Sequence, residues 1–370
     1  MSVQIQRLAG FEYYVRDLER TRRFYGERMG LVEVGRSTGA EGDESRVFRL
    51  GNAHVAFSSP RDPASLASRY LARHPDGIGR VLFEVADVRH AFARLEQNGA
   101  TPTGEIERHT DQHGSVESFS ITTPFGDCQF CFVERRGYRA PFPGQEVCDI
   151  AGSDELGLAD IDHVTANFRT MKPALLWLEH VLEFRPFWGV DFHTADAGTG
   201  TGSGLRSQVF WDPASGVKIA SNEPLRPAFE RSQINAFCEE NRGDGIQHVA
   251  LGVADIVHTV GRLRARGVEL MPAPDGYYRR LPEHLQRLGI DRIAESPQLL
   301  EELGVLVDGS GPGAYLLQIF LQDAARIFAS SEAGPFFFEL IQRRGDSGFG
   351  AGNFRALFDS VERQQVKRAG

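Results

Sequence analysis

Short runs in which apolar and polar residues alternate fill much of this chain, as in SRVFRLGNAHVAFSS (45–59) and RSQVFWDPASGVKIAS (206–221). A period of two predicts hairpins with one buried face. The alternation gives way to a helical period at two matching places. Residues 76–88 read DGIGRVLFEVADV and residues 244–256 read DGIQHVALGVADI. Each is followed by an amphipathic pattern, RHAFARLEQNG or VHTVGRLRARG, that stops at glycine. Each predicts a strand, then a helix, then a further strand.

The match extends beyond those two stretches. Residues 10–36 and 160–190 share a strand, polar break, helix and return strand, and QFCFVERRG (129–137) parallels FFELIQRRG (337–345). The chain is therefore read as a duplication. The N-terminal domain is expected over 1–140, a Pro-, Gly- and acid-rich linker over 141–158, and the C-terminal domain over 159–370. Two segments belong to the second half alone: the Gly/Thr-rich DFHTADAGTGTGSGLR (191–206), read as a mobile loop, and the excursion 275–313 with two helical patterns. Insertions confined to one half suggest that this half carries the site.

One residue disturbs the apolar pattern. Glu339 stands between Phe338 and Leu340 in a short apolar run. A carboxylate buried there costs several kcal/mol, on the order of 3–5, unless it is paired or bound to a metal. Laying one half on the other sets Glu339 opposite Cys131, His248 opposite Arg80 and His163 opposite Tyr13. Two imidazoles and one carboxylate on three separate strands make a facial triad, suited to non-haem Fe(II) and oxygen. The other histidines, His54, His74, His90, His109, His113, His180, His193, His258 and His284, are read as surface residues.

Composition narrows the partners. The net charge is −9, which argues against nucleic acid or an anionic membrane surface. No apolar run approaches a membrane span, and the N-terminus lacks the apolar core of a signal peptide. The four cysteines include one CxxC, at Cys128 and Cys131, without a second pair at zinc spacing. A soluble, cytoplasmic protein with reduced thiols is expected. The 26 phenylalanines against eight tyrosines are compatible with an aromatic-lined cavity and equally with large cores.

The second half resembles the 4-hydroxyphenylpyruvate dioxygenases of the vicinal oxygen chelate superfamily. The strings that carry the resemblance are IDHVTAN, SNEP, SQINAF, GDGIQHVALGVADI, LMPAPDGYY, YLLQIF, PFFFELIQRRG and GFGAGNFRALFDSVE, in collinear order. The resemblance implies an α+β fold of duplicated βαβββ modules. These would form two open β-barrels with outer helices and a C-terminal lid helix. Fe(II) would be held in the second barrel by His163, His248 and Glu339. The implied enzyme is a homo-oligomer that converts 4-hydroxyphenylpyruvate and O2 to homogentisate and CO2 in tyrosine catabolism.

The same resemblance assigns roles to further residues. Ser207, Asn222 and Gln233 would hydrogen-bond the phenol end of the substrate, and neutral amides and hydroxyls suit a phenol. Gln318 and Gln247 would stand near the metal and substrate. A regular strand would nevertheless turn Gln247 away from His248. Phe320, Phe337, Phe349, Phe354, Phe358 and Asn353 would wall the pocket, with GFGAG as a hinge before the lid. The alternative is 4-hydroxymandelate synthase, which uses the same substrate and iron. It differs at positions matching Asn222, Phe354 and Phe358, and all three here are of the ring-hydroxylating type. Gln208, Phe210, Trp211 and Ala220 depart from the family pattern and leave a modified arylpyruvate open. A metal-free binding protein on the same scaffold would show no iron dependence.

Overall fold

The computed structural model describes residues 2–38, 43–148, 154–193, 204–226, 229–350 and 352–353. Phe354, Phe358 and the expected lid helix lie outside the described residues.

The first half forms a nine-stranded sheet. Its strands are β1 (Ile5–Tyr14), β2 (Glu33–Thr38), β3 (Glu44–Leu50), β4 (Ala53–Ser59), β5 (Gly77–Val85), β6 (Glu107–Thr110), β7 (Ser115–Thr122), β8 (Gln129–Arg136) and β9 (Glu146–Val147). The second half forms an eight-stranded sheet. It contains β10 (Leu158–Asn167), β11 (Arg185–His193), β12 (Gly204–Trp211), β13 (Lys218–Pro224), β14 (Gly245–Val253), β15 (Leu306–Gly311), β16 (Ala314–Phe320) and β17 (Phe337–Arg344).

The strand orders, β6-β7-β8-β5-β1-β4-β3-β2-β9 and β15-β16-β17-β14-β10-β13-β12-β11, are the same order twice, with β9 added at one edge. In both, the central pair is antiparallel and its outer neighbours, β4 and β8 or β13 and β17, run parallel to it. Each half is thus two βαβββ modules side by side, curled into an open barrel. The helices Val88–Gln97 and Ile256–Ala265 begin at Asp87 and Asp255. These aspartates cap the first-turn N–H groups, each cap worth about 1 kcal/mol.

The two barrels share one core. Phe338 and Leu340 point out of the second barrel, and Phe338 meets Phe11 and Tyr25 of the first at centroid distances of 6.0 and 5.7 Å. Alternation then sends Phe337, Glu339 and Ile341 the other way, into the barrel.

Register corrects one expected equivalence. Arg80 pairs with Glu12 and His248 with Thr165; Leu82 pairs with Gly10 and Ala250 with His163. The sister of His163 is therefore Gly10, not Tyr13. Any side chain there would collide with the His54 carbonyl, 2.2 Å from a Cβ placed on Gly10. Leu82 pairs with Cys131 as Ala250 pairs with Glu339, so Cys131 is the sister of Glu339 as expected.

Other segments also differ from the local pattern. Within the expected linker, β9 pairs with β2, and Phe142 is buried. Of the Gly/Thr-rich segment only its two ends are described, and there Phe192 pairs with Leu205; residues 194–203, the expected mobile loop, lie outside the described residues. His74 is buried, bridging Asp127 and the Asn241 carbonyl across the two halves, and so is not a surface residue. No helix among the described residues is long and apolar enough to cross a membrane.

Candidate metal centre and aromatic pocket

Three neighbouring strands of the second barrel each contribute one candidate ligand. His163 comes from β10, His248 from β14 and Glu339 from β17, and all are at most 3% exposed. Their ligand atoms lie within 4.8 Å of one another. Glu339 Oε2 is 3.4 Å from His248 Nε2 and 3.7 Å from His163 Nε2. Adjacent ligands around one ion at bond lengths of about 2.1 Å sit roughly 3 Å apart. The spacing therefore fits a metal after a small contraction.

Both imidazoles are aimed by β-bulges. Between Ile161 and His163 the pairing with β14 skips Asp162, and between Thr165 and Ala166 it skips Gln247. A bulge adds one residue to a strand and turns the neighbouring side chains. Each extra residue then bonds the histidine that follows it. His163 Nδ1 lies 2.8 Å from Asp162 Oδ1, and His248 Nδ1 lies 3.1 Å from Gln247 Oε1. Both partners are acceptors, so Nδ1 carries the proton and Nε2 keeps its lone pair for a metal. The bulge is also why Gln247 does not face away from His248 as a regular strand would require.

The charges point the same way. Burial holds His248 well below the usual imidazole range, with His163 adding to the effect. Burial also pushes the Glu339 carboxyl up to about 7, against the attraction of His163 and the Gln318 hydrogen bond. Asp162 differs: burial raises its pKa, but hydrogen bonds from Arg343 and His163 outweigh that and hold it well below the carboxylate range. Arg343 reaches Asp162 with two nitrogens, at 2.6 and 2.7 Å. Glu339 alone among these acids lacks a fixed cation, and a divalent ion would supply one. The donor set and its geometry fit a resident metal.

Glu339 Oε1 is occupied by a separate chain of amides. Gln318 Nε2 donates to it at 2.7 Å, Asn353 Nδ2 donates to Gln318 Oε1 at 3.0 Å, and Tyr277 donates to Asn353 Oδ1 at 3.0 Å. Phe337 stacks on the His248 ring at 4.9 Å, Phe320 lies 6.5 Å from it, and Phe349 meets His163 at 4.7 Å.

A second polar group lies on β12, β13 and β10. Ser207 pairs with Asn222 and Asn222 with Asn167, and Asn222 Nδ2 donates to Asn167 Oδ1 at 3.0 Å. Ser207 Oγ, Asn222 Oδ1 and Asn167 Nδ2 are buried without a hydrogen-bond partner among the described residues, as is Gln233 Oε1 at the start of the helix Gln233–Glu240. Such orphans are expensive in a dry core and are expected where a ligand binds. Val209, Ala220 and Phe349 pack together beside them. Phe210 belongs to the opposite, outer face of the sheet. Alternation puts Gln208 on that face too, so neither residue reshapes the pocket.

Sequence reasoning missed Asp162, Arg343, Tyr277 and Asn167. Asp162 precedes a candidate ligand and Asn167 closes the IDHVTAN string, but only register shows where either points.

This fold is that of the Glyoxalase/Bleomycin resistance protein/Dioxygenase superfamily, whose family model matches residues 5–126 and 160–281. A 4-hydroxyphenylpyruvate dioxygenase of Dictyostelium discoideum is 34% identical over 98% of this chain and 99% of its own. That of Caenorhabditis elegans is 34% identical over 90% of this chain and 84% of its own. The chain belongs to the 4-hydroxyphenylpyruvate dioxygenase family. A solved triple mutant of 4-hydroxymandelate synthase from Streptomyces coelicolor superposes with a TM-score of 0.81 at 25% identity, covering 98% of this chain and 99% of its own.

Proposed function

We propose that this protein is an Fe(II)-dependent dioxygenase that converts 4-hydroxyphenylpyruvate and O2 to homogentisate and CO2. The observation that carries the reading is the buried His163–His248–Glu339 triad within a chain so similar to these dioxygenases. When bound there, Fe(II) supplies the activation of O2 and a coordination point for a 2-oxo acid.

The protein's own groups supply orientation and exclusion of water. Asp162 and Gln247 keep the Nδ1 protons of the two histidines, and Gln318 holds one oxygen of Glu339. Phe320, Phe337 and Phe349 give an apolar wall that keeps water from the reacting centre. The orphaned atoms of Ser207, Asn222, Asn167 and Gln233 would exchange hydrogen bonds with the phenol hydroxyl and fix the ring. Asn353 belongs to the proposed pocket through its hydrogen bond to Gln318; Phe354 and Phe358, which the family resemblance adds, lie outside the described residues.

The second reading, 4-hydroxymandelate as product, rests on the structural likeness to that synthase. The polar Asn222 favours ring hydroxylation. A reducing cytoplasm suits four free thiols, three of them buried. A homo-oligomer completes the proposal and would be read by sedimentation.

Oxygen uptake with added Fe(II) and 4-hydroxyphenylpyruvate, followed by chromatography of the product, tests the assignment. Homogentisate is the expected product. Uptake that yields only 4-hydroxymandelate, or no uptake beside an active control enzyme, overturns it.

A further inference from the structure

Asp308 on β15 is 2% exposed, and its carboxylate is surrounded by donors. Oδ2 accepts the backbone N–H of Gly352 at 2.6 Å and of Asn353 at 3.2 Å. Oδ1 accepts the Gly309 N–H at 2.9 Å and lies 3.0 Å from His284 Nε2. The Asn353 backbone held in this way carries the carboxamide that donates to Gln318. That donation occupies the oxygen of Gln318 and leaves its NH2 for Glu339 Oε1, so that Oε2 is the oxygen facing the two histidines.

The glycines around Asn353 have a use here beyond a hinge. A Cβ on Gly352 would lie 2.8 and 2.9 Å from His284 ring atoms and 3.2 Å from Asp308 Oδ2. One on Gly350 would lie 3.1 Å from Gln318 Oε1 and 3.2 Å from Asp308 Cβ. A side chain at either point would force His284, Gln318 or Asp308 to shift.

The first half offers an internal control. By register, His109 is the sister of Asp308 and Ser118 of Gln318. Gly144 follows Gly137 by seven residues, as Gly352 follows Gly345. There too the chain crosses the sheet at this point: His109 ring atoms lie 3.4 and 3.5 Å from where a Gly144 Cβ would be. The crossing is common to both halves, whereas among the described residues the carboxylate clamp and the amide chain beneath it occur only beside the metal triad.

We propose that Asp308 is a positioning residue of the metal centre. It clamps the backbone at Gly352–Asn353, holds the Asn353 carboxamide on Gln318 and so fixes which oxygen Glu339 offers to the ion. The proposal rests on the metal-site reading above.

Co(II), a visible-spectrum probe of ligand geometry, would be titrated into metal-free wild type, Asp308→Ala and Asp308→Asn, with Fe(II)-loaded turnover measured in parallel. Loss of an outer partner of a metal ligand costs about 10–100-fold in affinity or activity. A loss of that size in Co(II) affinity and in kcat is expected for Asp308→Ala, with an altered Co(II) spectrum and a smaller change in KM. Asp308→Asn keeps an acceptor for the two N–H groups and is expected to recover most of the loss. A folded Asp308→Ala protein with wild-type Co(II) affinity and spectrum overturns the proposal. Should Asp308→Ala not fold, Asn353→Ala breaks the next link with the clamp intact, and a wild-type spectrum there overturns it equally. Wild type that binds no Co(II) would instead sink the metal reading itself.

Discussion

Gln247 is the extra residue of a bulge in β14, and its Oε1 lies 3.1 Å from Nδ1 of the adjacent His248. The bulge and the hydrogen bond act together: one turns the imidazole inward, and the other leaves Nε2 free to ligate. Gly79 is the extra residue at the sister position of the first half, where a Cβ would lie 2.0 Å from the Tyr14 ring. Gln247→Ala is expected to lower metal affinity or activity about 10–100-fold. Gln247→Glu keeps an acceptor and should retain most of both. Calorimetric titration with Co(II) would measure it, and equal affinities for wild type and Gln247→Ala would contradict the role.

Asp162 performs the same service for His163 and also neutralises Arg343. Arg343 in turn donates to the Asp346 and Gly348 carbonyls of the segment that carries Phe349. Arg135 of the first half holds the Ala140 carbonyl in the equivalent way, but its sheet has Ala9 in place of Asp162. Asp162→Ala would leave a partly buried guanidinium unpaired, at a cost of about 3 kcal/mol. Urea unfolding of the metal-free proteins should show that loss, separate from any change in metal affinity.

These two bulges mark what the sequence could and could not reveal. The duplication, the strand and helix types, and the triad residues follow from local period and from comparing one half with the other. A bulge is a mismatch in pairing between strands distant in sequence, so no local pattern reports it. For that reason a comparison of the two halves by sequence sets Tyr13 rather than Gly10 opposite His163, and strand alternation turns Gln247 away from His248. Asp308 and Asn353 are far apart along the chain and meet only because the segment after β17 crosses β15. The polar group of Ser207, Asn222 and Asn167 was half visible. Two of its members stand out in their strings, and the third emerged from the parallel pairing of β10 with β13.

That polar group should set selectivity for a hydroxylated ring. A site built to hydrogen-bond a hydroxyl rejects the analogue lacking it, because its own groups are then left unpaired. Wild type is expected to prefer 4-hydroxyphenylpyruvate over phenylpyruvate by orders of magnitude in kcat/KM. Asn222→Leu should reduce that ratio about tenfold or more, chiefly by losing rate on the hydroxylated substrate. An unchanged ratio would exclude this group from recognising the ring.

Removing the metal should expose the cost of Glu339. Its pKa of about 7, raised by burial, means that the ionised carboxylate is unwelcome without a cation. Glu339→Gln keeps the shape and the acceptor for Gln318. At pH 8 the metal-free Glu339→Gln protein should be more stable than metal-free wild type, by roughly 1–2 kcal/mol. With metal present the order should reverse, since only wild type gains binding energy. Thermal unfolding with and without a chelator would show the crossing. A Glu339→Gln protein that is less stable in both conditions would remove the carboxylate as a source of strain.

His54 makes stability depend on pH at a site remote from the metal. Burial, with the charges of Arg135, Arg7 and Arg49 adding to it, lowers its pKa to about 4. In the unfolded chain an imidazole titrates near 6.5. Between these values the unfolded state binds more protons than the folded state, so stability rises with pH. The contribution is complete above about 6.5 and is lost as pH falls through about 4. His54 is only partly buried, which reduces its contribution to about 1–2 kcal/mol. His54→Gln keeps a polar side chain of similar size and removes the titration. The drop in unfolding free energy between pH 7 and pH 4.5 should therefore be smaller in His54→Gln than in wild type by about that amount. Urea midpoints at the two pH values measure it, and the same drop in both proteins would show that the imidazole is already free to protonate in the folded state.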